Sequence, residues 1–395
     1  MNSNTQSYES FRRICVLLLL LALNIGFLTS FVFRVPLIVL GPATVLFALL
    51  AFNFKTISKG YLFIMIFLCF IMVMSPHYYK RDVLLLMTIM QASLAVDIKT
   101  YLKYILVILG VVSVIMFFLY GFGRLAMFEN NSDIENLIRA RYDFGFRHPN
   151  AASTNYYGLI IASILLLSIS KYRKMLPMFV VGAMLFAMFI YTMTMSRGFL
   201  IAILAFVCTY GYYSLRKKIS ENYKLGVTKY IILVLPLILS ALTLFLGLNA
   251  ENFPLIDIIL SNRPSLYGDF LSTLTPEQLI FGTTFMPTEE LVIDSSYLTL
   301  MFAGGLVFFV YFIALYFIAA KNIIKQQNTL VIAILVGTMA YGFVETTLLG
   351  IMNIGNTIFW ALLYKYRFGV IEEFGSSSEE ELTDEDVNEL VAEEA

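Results

Sequence analysis

The sequence predicts an all-helical polytopic membrane protein with about a dozen spans, and three observations carry that prediction. Hydrophobic residues make up 59% of the chain and charged residues 14%, with a mean hydropathy of +0.81, so the chain is built for lipid as its solvent. Apolar runs close to the ~20 residues that cross ~30 Å of hydrocarbon follow one another from Ile14 to Phe368 with short polar interruptions. No segment alternates polar and apolar residues as barrel strands do, and a continuous apolar run must satisfy its own backbone, as a helix does.

In chain order, Arg12 and Arg13 precede the run 14–33, which is too long for a signal-peptide core and lacks a small-x-small cleavage site; it is predicted as a retained first span. Further spans are expected at 35–54, 61–76, 82–97, 101–122, 151–170, 175–195, 198–215, 230–249, 294–320, 329–348 and 350–369. Segment 82–97 carries Asp82, Gln91 and Asp97, so a re-entrant or interfacial helix is the alternative there. Met195-Ser196-Arg197-Gly198 divides the apolar stretch 175–215, which is twice the length of one span, and marks a hairpin or a helix break. Two loops, 123–150 and 250–293, are long enough to hold structure. In the second, Arg263-Pro264, Pro276-Glu277 and Met286-Pro287 punctuate apolar residues, which predicts short interfacial helices. Residues 1–369 therefore form one membrane domain. The remainder, 370–395, has no basic residue and holds 11 of the 27 acids, so it reads as a solvated, partly disordered acidic tail. A spacing of Leu382, Val387, Leu390 and Val391 within it would suit a short helix on a partner.

With the N-terminus inside, 18 of the 27 basic residues fall on the cytoplasmic side, including the clusters 171–174 and 216–218. Thirteen of the 14 lysines are inside, whereas eight of the nine outer basic residues are arginine. Topology asks only for positive charge inside. Arginine's planar fork grips phosphate through two bonds and keeps its charge when desolvated, so the outer face is expected to hold an anion.

Several outer residues could carry chemistry. In Phe144-Gly145-Phe146-Arg147-His148-Pro149-Asn150, Pro149 and Asn150 are accounted for as helix punctuation and cap, while Arg147 could hold a phosphate and His148 could move a proton. In Ser196-Arg197-Gly198 only Arg197 lacks a structural reason. Ser261-Asn262-Arg263-Pro264 is followed by Tyr267, and Asp294-Ser295-Ser296-Tyr297 opens the tenth span, with Asp294 also a candidate N-cap and Tyr297 an interfacial aromatic. Glu345, near the outer end of the eleventh span, either pairs with Arg147, Arg197 or Arg263 or takes part in catalysis. Cys15, Cys69 and Cys208 have no regular spacing and the two histidines, His77 and His148, are scattered, so the sequence supports neither a disulfide framework nor a metal site.

These motifs, in this order over the second two-thirds of the chain, resemble the Wzy-type polymerases of O-antigen and capsule repeat units, which are related to the O-antigen ligases. Arg147 and Gly158 also fit that group's Arg-x10-Gly pattern, whereas Leu274 stands where Arg263 would require glycine. The resemblance implies a GT-C-like membrane fold in the bacterial plasma membrane, with both termini cytoplasmic and the active site outside. It implies metal-independent glycosyl transfer, without cofactor or nucleic acid, between two undecaprenyl-pyrophosphate-linked oligosaccharides, donor and acceptor, amid membrane lipids and with a chain-length regulator protein as a further partner. Arg147, Arg197 and Arg263 would then bind pyrophosphate, His148, Asp294 or Glu345 would activate the acceptor hydroxyl, and Asn150, Tyr267 and Tyr297 would contact sugar. The absence of a Gly-x4-Gly-Lys-Ser/Thr loop agrees with a donor that is already activated. Two other functions fit the same span count. One is a ligase-type glycan transferase; the other is a flippase or anionic-solute transporter, for which mid-membrane polar residues and an internal repeat would be expected.

Overall fold

The computed structural model describes residues 3–29, 40–52, 57–74, 78–121, 141–146, 148–219, 225–260, 262–282, 293–350, 353–368 and 371. Among these, the regular structure is helical throughout and no strand occurs. The helices are α1 (Ser3–Phe27), α2 (Leu40–Ala51), α3 (Lys59–Met74), α4 (Tyr78–Ser93), α5 (Ile98–Gly121), α6 (Pro149–Ser168), α7 (Leu176–Thr194) and α8 (Arg197–Ile219). They continue with α9 (Thr228–Leu248), α10 (Pro254–Ile259), α11 (Arg263–Ser272), α12 (Pro276–Phe281), α13 (Ser296–Ala303), α14 (Gly305–Lys325), α15 (Thr329–Val344) and α16 (Thr357–Tyr366).

Seven stretches are long and apolar enough to cross a membrane: Ser7–Phe27, Ile98–Gly121, Pro149–Ser168, Arg173–Thr194, Arg197–Ile219, Thr228–Leu248 and Gly305–Lys325. Shorter apolar helices at Pro42–Ala51, Lys59–Met72, Asp82–Ser93 and Thr329–Val344 complete the bundle. The outward faces are apolar, with Val107 and Phe117 on α5 and Met178, Val181 and Leu185 on α7 among the exposed side chains. Water would not tolerate a continuous apolar surface of this kind, and lipid does. The chain is a polytopic membrane protein.

The expectation of a dozen uniform spans is refined in two places. The run 294–320 is two helices, not one: α13 ends at Gly304 and α14 begins at Gly305, whose φ of +69° only glycine adopts without strain. Helix α12 causes the break, because a Cβ on Gly305 would lie 2.1 Å from the Ile280 carbonyl oxygen. The last two expected spans are also shorter. Helix α15 stops at Val344, an irregular segment containing a 3-10 turn at Ile354–Asn356 follows, and α16 supplies only ten residues. Segment 82–97 is helical only to Ser93, in a helix starting at Tyr78, and its Gln91 is fully buried, accepting from the Tyr364 hydroxyl of α16 at 2.6 Å. The loop 250–293 does hold short helices, α10 to α12. The segment 372–395 lies outside the described residues.

Helix α15 is the hub. It is buried on nearly every face and packs on α8, α9, α13 and α14. Its contact with α6 is a polar ladder in an apolar bundle. Tyr157 pairs with Thr338 at 3.0 Å, Thr154 with Tyr341 at 3.0 Å, and Asn150 with Glu345 at 2.8 Å. Each step moves one turn along both helices in opposite senses, so the ladder fixes an antiparallel register, and its last rung brings the start of α6 to the end of α15. On its other side α6 meets the irregular segment backbone to backbone: a Cβ on Gly158 would sit 2.5 Å from Gly355 Cα, and one on Gly355 2.7 Å from Gly158 Cα.

Candidate functional site

Each element that reaches this end of the bundle brings one polar side chain. Helix α6 begins with Pro149 at its first position and His148 as its N-cap, whose Nδ1 accepts from the Asn150 amide at 3.2 Å. His148 therefore takes the capping place expected of Asn150, which leaves the Asn150 amide side chain for tertiary contacts. Its Nδ2 donates to Glu345 Oε1, and its Oδ1 accepts from Arg141 Nη2 at 3.1 Å. Arg141 also donates from Nε to the Thr194 carbonyl at the end of α7, at 2.9 Å.

Glu345 ends α15 in extended backbone. Ser296 holds it there by donating to the Glu345 carbonyl at 2.6 Å and accepting from the Leu348 amide at 3.0 Å. This contact draws the start of α13 against the end of α15, so Asp294, two residues upstream of Ser296, meets the same cluster. The N-cap of α13 is Ser295 rather than Asp294, which is occupied by an arginine instead. Gly198 makes room for the Glu345 side chain, since a Cβ there would be 2.7 Å from Glu345 Cγ.

Arg263 is delivered by the loop helices. Asp257 of α10 accepts from the Ser265 amide at 3.0 Å and its hydroxyl at 2.6 Å, capping α11, and Gly268 lets α11 approach the Gly247 carbonyl on α9. Arg263 then opens α11 and points into the cluster. Its Nε and Nη2 donate to Asp294 Oδ2 at 3.2 and 3.0 Å, and Nη2 also donates to Glu345 Oε1 at 2.8 Å. Of the three arginines offered as partners for Glu345, Arg263 is the one seen to pair with it. The Arg263 side chain is 12% exposed, that of Glu345 11% and that of Asp294 30%, so the cluster is open to its surroundings mainly at Asp294.

His148 faces this cluster, and its pKa is depressed, first by burial and then by the Arg141 and Arg263 charges, against the opposing pull of Asp294. A neutral imidazole whose Nδ1 is an acceptor carries its proton on Nε2, so His148 enters the site as a hydrogen-bond donor. Tyr267, one turn beyond Arg263, is 4% exposed, and its hydroxyl has no hydrogen-bond partner among the described residues while sharing the field of Arg263, Asp294 and Glu345. Burial keeps that phenol protonated.

Two expected site residues stand elsewhere. Arg197 donates from Nη1 to the Ile258 and Ile259 carbonyls at 3.3 and 2.6 Å, so it closes the C-terminal end of α10 and ties the start of α8 to the loop helices. Tyr297 is fully buried with its hydroxyl on the Met339 carbonyl at 2.8 Å, a strut between α13 and α15 that offers no ring face to a sugar. Arg147 lies outside the described residues. Conversely, Arg141 belongs to the cluster although sequence reading counted it only among the outer arginines. Among the described residues no group of three or more His, Cys, Asp or Glu side chains is gathered as a metal site. Nothing matches this chain among protein-family models, curated proteins or solved structures.

Proposed function

We propose that this protein is a membrane glycosyltransferase that polymerises polyprenyl-pyrophosphate-linked oligosaccharide repeat units at the outer face of the membrane. The observation that carries this reading is the triad in which Arg263 bridges Asp294 and Glu345 at one end of the bundle. Asp294 is its most exposed member, and Oδ2 alone takes the arginine bonds. Its Oδ1 is therefore the natural acceptor for a proton from an incoming sugar hydroxyl.

In the reaction the acceptor hydroxyl oxygen bonds to the anomeric carbon of the donor sugar. The bond from that carbon to pyrophosphate breaks, its electron pair leaving on the phosphate oxygen, and the hydroxyl proton passes to Asp294. Arg263 Nη1 makes none of the bonds to the two carboxylates, so it is placed to face the leaving diphosphate with Arg141 nearby. His148 Nε2–H and Asn150 supply neutral polar contacts to sugar or phosphate, and Glu345 positions Arg263.

The test is purified protein in bilayers given a lipid-linked repeat unit without nucleotide. A ladder of lengthening glycans is expected, whereas a single transferred product would assign a ligase. Asp294→Asn should abolish the ladder while leaving substrate binding measurable. Full turnover by that variant would overturn the role of Asp294, and flipping of the substrate without any new glycosidic bond would overturn the whole reading.

A further inference from the structure

At the opposite end of the bundle lies a second polar site. Helices α6 and α8 run away from the candidate catalytic cluster and α15 runs toward it, so the far ends of these three helices meet about 24 Å away, the length of the 16-residue α15. They enclose a cavity of about 670 Å³. Arg173, Lys217, Lys218 and Lys325 line it, no acidic side chain does among the described residues, and Thr329 and Leu330 present the amide end of α15 to it. Four cations and a helix N-terminus around one space make an anion site.

The covalent path of the chain names the anion. Gln326, part of the cavity wall, donates to the carbonyl of Ile371 at 3.3 Å, and Ile371 is itself buried. The chain therefore leaves the bundle at the rim of this cavity, and the residues that follow at once are Glu372 and Glu373, the first of 11 acids in the final segment. We propose that the cavity is a docking site for this chain's own C-terminal segment, residues 372–395, held by carboxylates against Lys217, Lys218, Lys325 and Arg173. The acids at 379–381 are about ten residues beyond the anchor, a reach of up to ~30 Å when extended, so they too can enter. A short tether gives an effective concentration on the order of millimolar, so a site with a Kd near 0.1 mM would be roughly nine-tenths filled. The segment thereby joins the ends of α6, α8, α14 and α15, and the other ends of α6, α8 and α15 meet at the candidate catalytic cluster.

Carbodiimide coupling of the full-length protein in neutral-lipid nanodiscs tests this, because it joins a carboxylate to an amine only in direct contact. Mass spectrometry should find tail carboxylates coupled to Lys217, Lys218 and Lys325 about tenfold more than to Lys171, Lys174, Lys229 and Lys321, the excess vanishing at high salt. Mixing heavy- and light-labelled protein should leave these products within one chain. Glu379→Gln/Glu380→Gln/Glu381→Gln, which alters no residue of the bundle, should raise acetic anhydride labelling of Lys217 and Lys218 severalfold. Coupling spread evenly over all seven lysines, or mainly between chains, overturns the proposal. So does lysine labelling that ignores the tail substitutions but falls when phosphatidylglycerol is added, since the occupant is then a lipid headgroup.

Discussion

Replacing Arg263 by methionine keeps most of the side-chain volume and removes a cation that bridges two carboxylates. Asp294 Oδ2 and Glu345 Oε1 both bond Nη2, at 3.0 and 2.8 Å, and so lie no more than about 6 Å apart. Two unit charges at that distance repel by ~3 kcal/mol at an effective dielectric of about 20. Solvent at Asp294, 30% exposed, lowers this to about 2 kcal/mol. Three charge-assisted hydrogen bonds are lost as well, which places the total near the low end of the ~3–5 kcal/mol typical of a broken buried ion pair. For a chain of this size that corresponds to a fall of about 5 °C in the unfolding temperature, read by intrinsic fluorescence in detergent or nanodiscs. The electrostatic part has a sign. Burial already raises the Glu345 pKa and losing Arg263 removes a charge that lowers it, so the gap between variant and wild type should narrow on acidification and keep widening as pH rises above neutral. The second substitution Glu345→Gln on the Arg263→Met background should recover about half of the loss. If Arg263→Met melts with the wild type at neutral pH, or Glu345→Gln recovers nothing, the two carboxylates do not share this guanidinium and the site has a different construction.

Gly198→Ala places a methyl group 2.7 Å from Glu345 Cγ and 3.0 Å from Tyr341 Cε2. It should displace Glu345 from Arg263 and reduce glycan elongation at least tenfold, with a stability loss of only ~1–2 kcal/mol, checked by elongation assays beside melting curves. Gly158→Ala meets the Gly355 backbone at 2.5 Å, where no rotamer can yield, so a loss of about 3 kcal/mol or more and poor membrane yield are expected. His148→Ala should cost ~1 kcal/mol through the lost cap, and His148→Asn little. Because the folded pKa of His148 lies below its ordinary value of 6.5, the unfolded chain takes up this proton first. Wild-type stability should therefore fall, relative to His148→Asn, as pH drops below about 6.5, and the two should run parallel above it.

Helix existence was legible because hydrocarbon imposes one rule on every span, and the apolar runs obey it. Helix length was not. Gly304 and Gly305 sit inside an unbroken apolar run, and what splits α13 from α14 is α12 pressing its Ile280 carbonyl against Gly305, a contact no local pattern announces. The same holds at the site. Asp294, Glu345, Arg263, His148 and Asn150 stood out as polar groups at span ends or in the large loop, and Asp294, Glu345, Arg263 and Asn150 join through side-chain hydrogen bonds or ion pairs with a fifth partner, Arg141. Arg197 stood out for the same reason yet serves α10, because a guanidinium is as good a ligand for carbonyls as for phosphate. Tyr297 looked interfacial because it follows Asp294 by three residues, but an eight-residue helix begins between them and turns the ring inward. One signal for the register was present in the sequence. Thr154 and Tyr157, and Thr338 and Tyr341, are polar pairs spaced by three in otherwise apolar spans, as the rungs of a ladder between two helices must be.

The charge balance of the cluster bears on the mechanism more than the number of arginines does. Sequence suggested guanidinium groups in excess, ready to grip a diphosphate. In the cluster Arg141 and Arg263 face Asp294 and Glu345, and burial with the neighbouring arginines depresses the His148 pKa, so each of these guanidinium groups is held beside a carboxyl group or its amide partner. Such pairing holds the arginines in fixed directions, which is the condition for electrostatic catalysis. Proton transfer then changes the balance at the moment it matters. In the proposed reaction, Asp294 taking the acceptor's proton would add one positive charge to the cluster while the leaving pyrophosphate gained negative charge beside it. Base catalysis and leaving-group stabilisation would in this way be one event, coupled through Arg263, whose partner Asp294 would have just lost its charge. Asp294→Asn would supply that positive balance permanently but accept no proton, so it should bind the diphosphate carrier more tightly than the wild type while failing to elongate. Weaker carrier binding by Asp294→Asn would separate the two roles and remove the coupling.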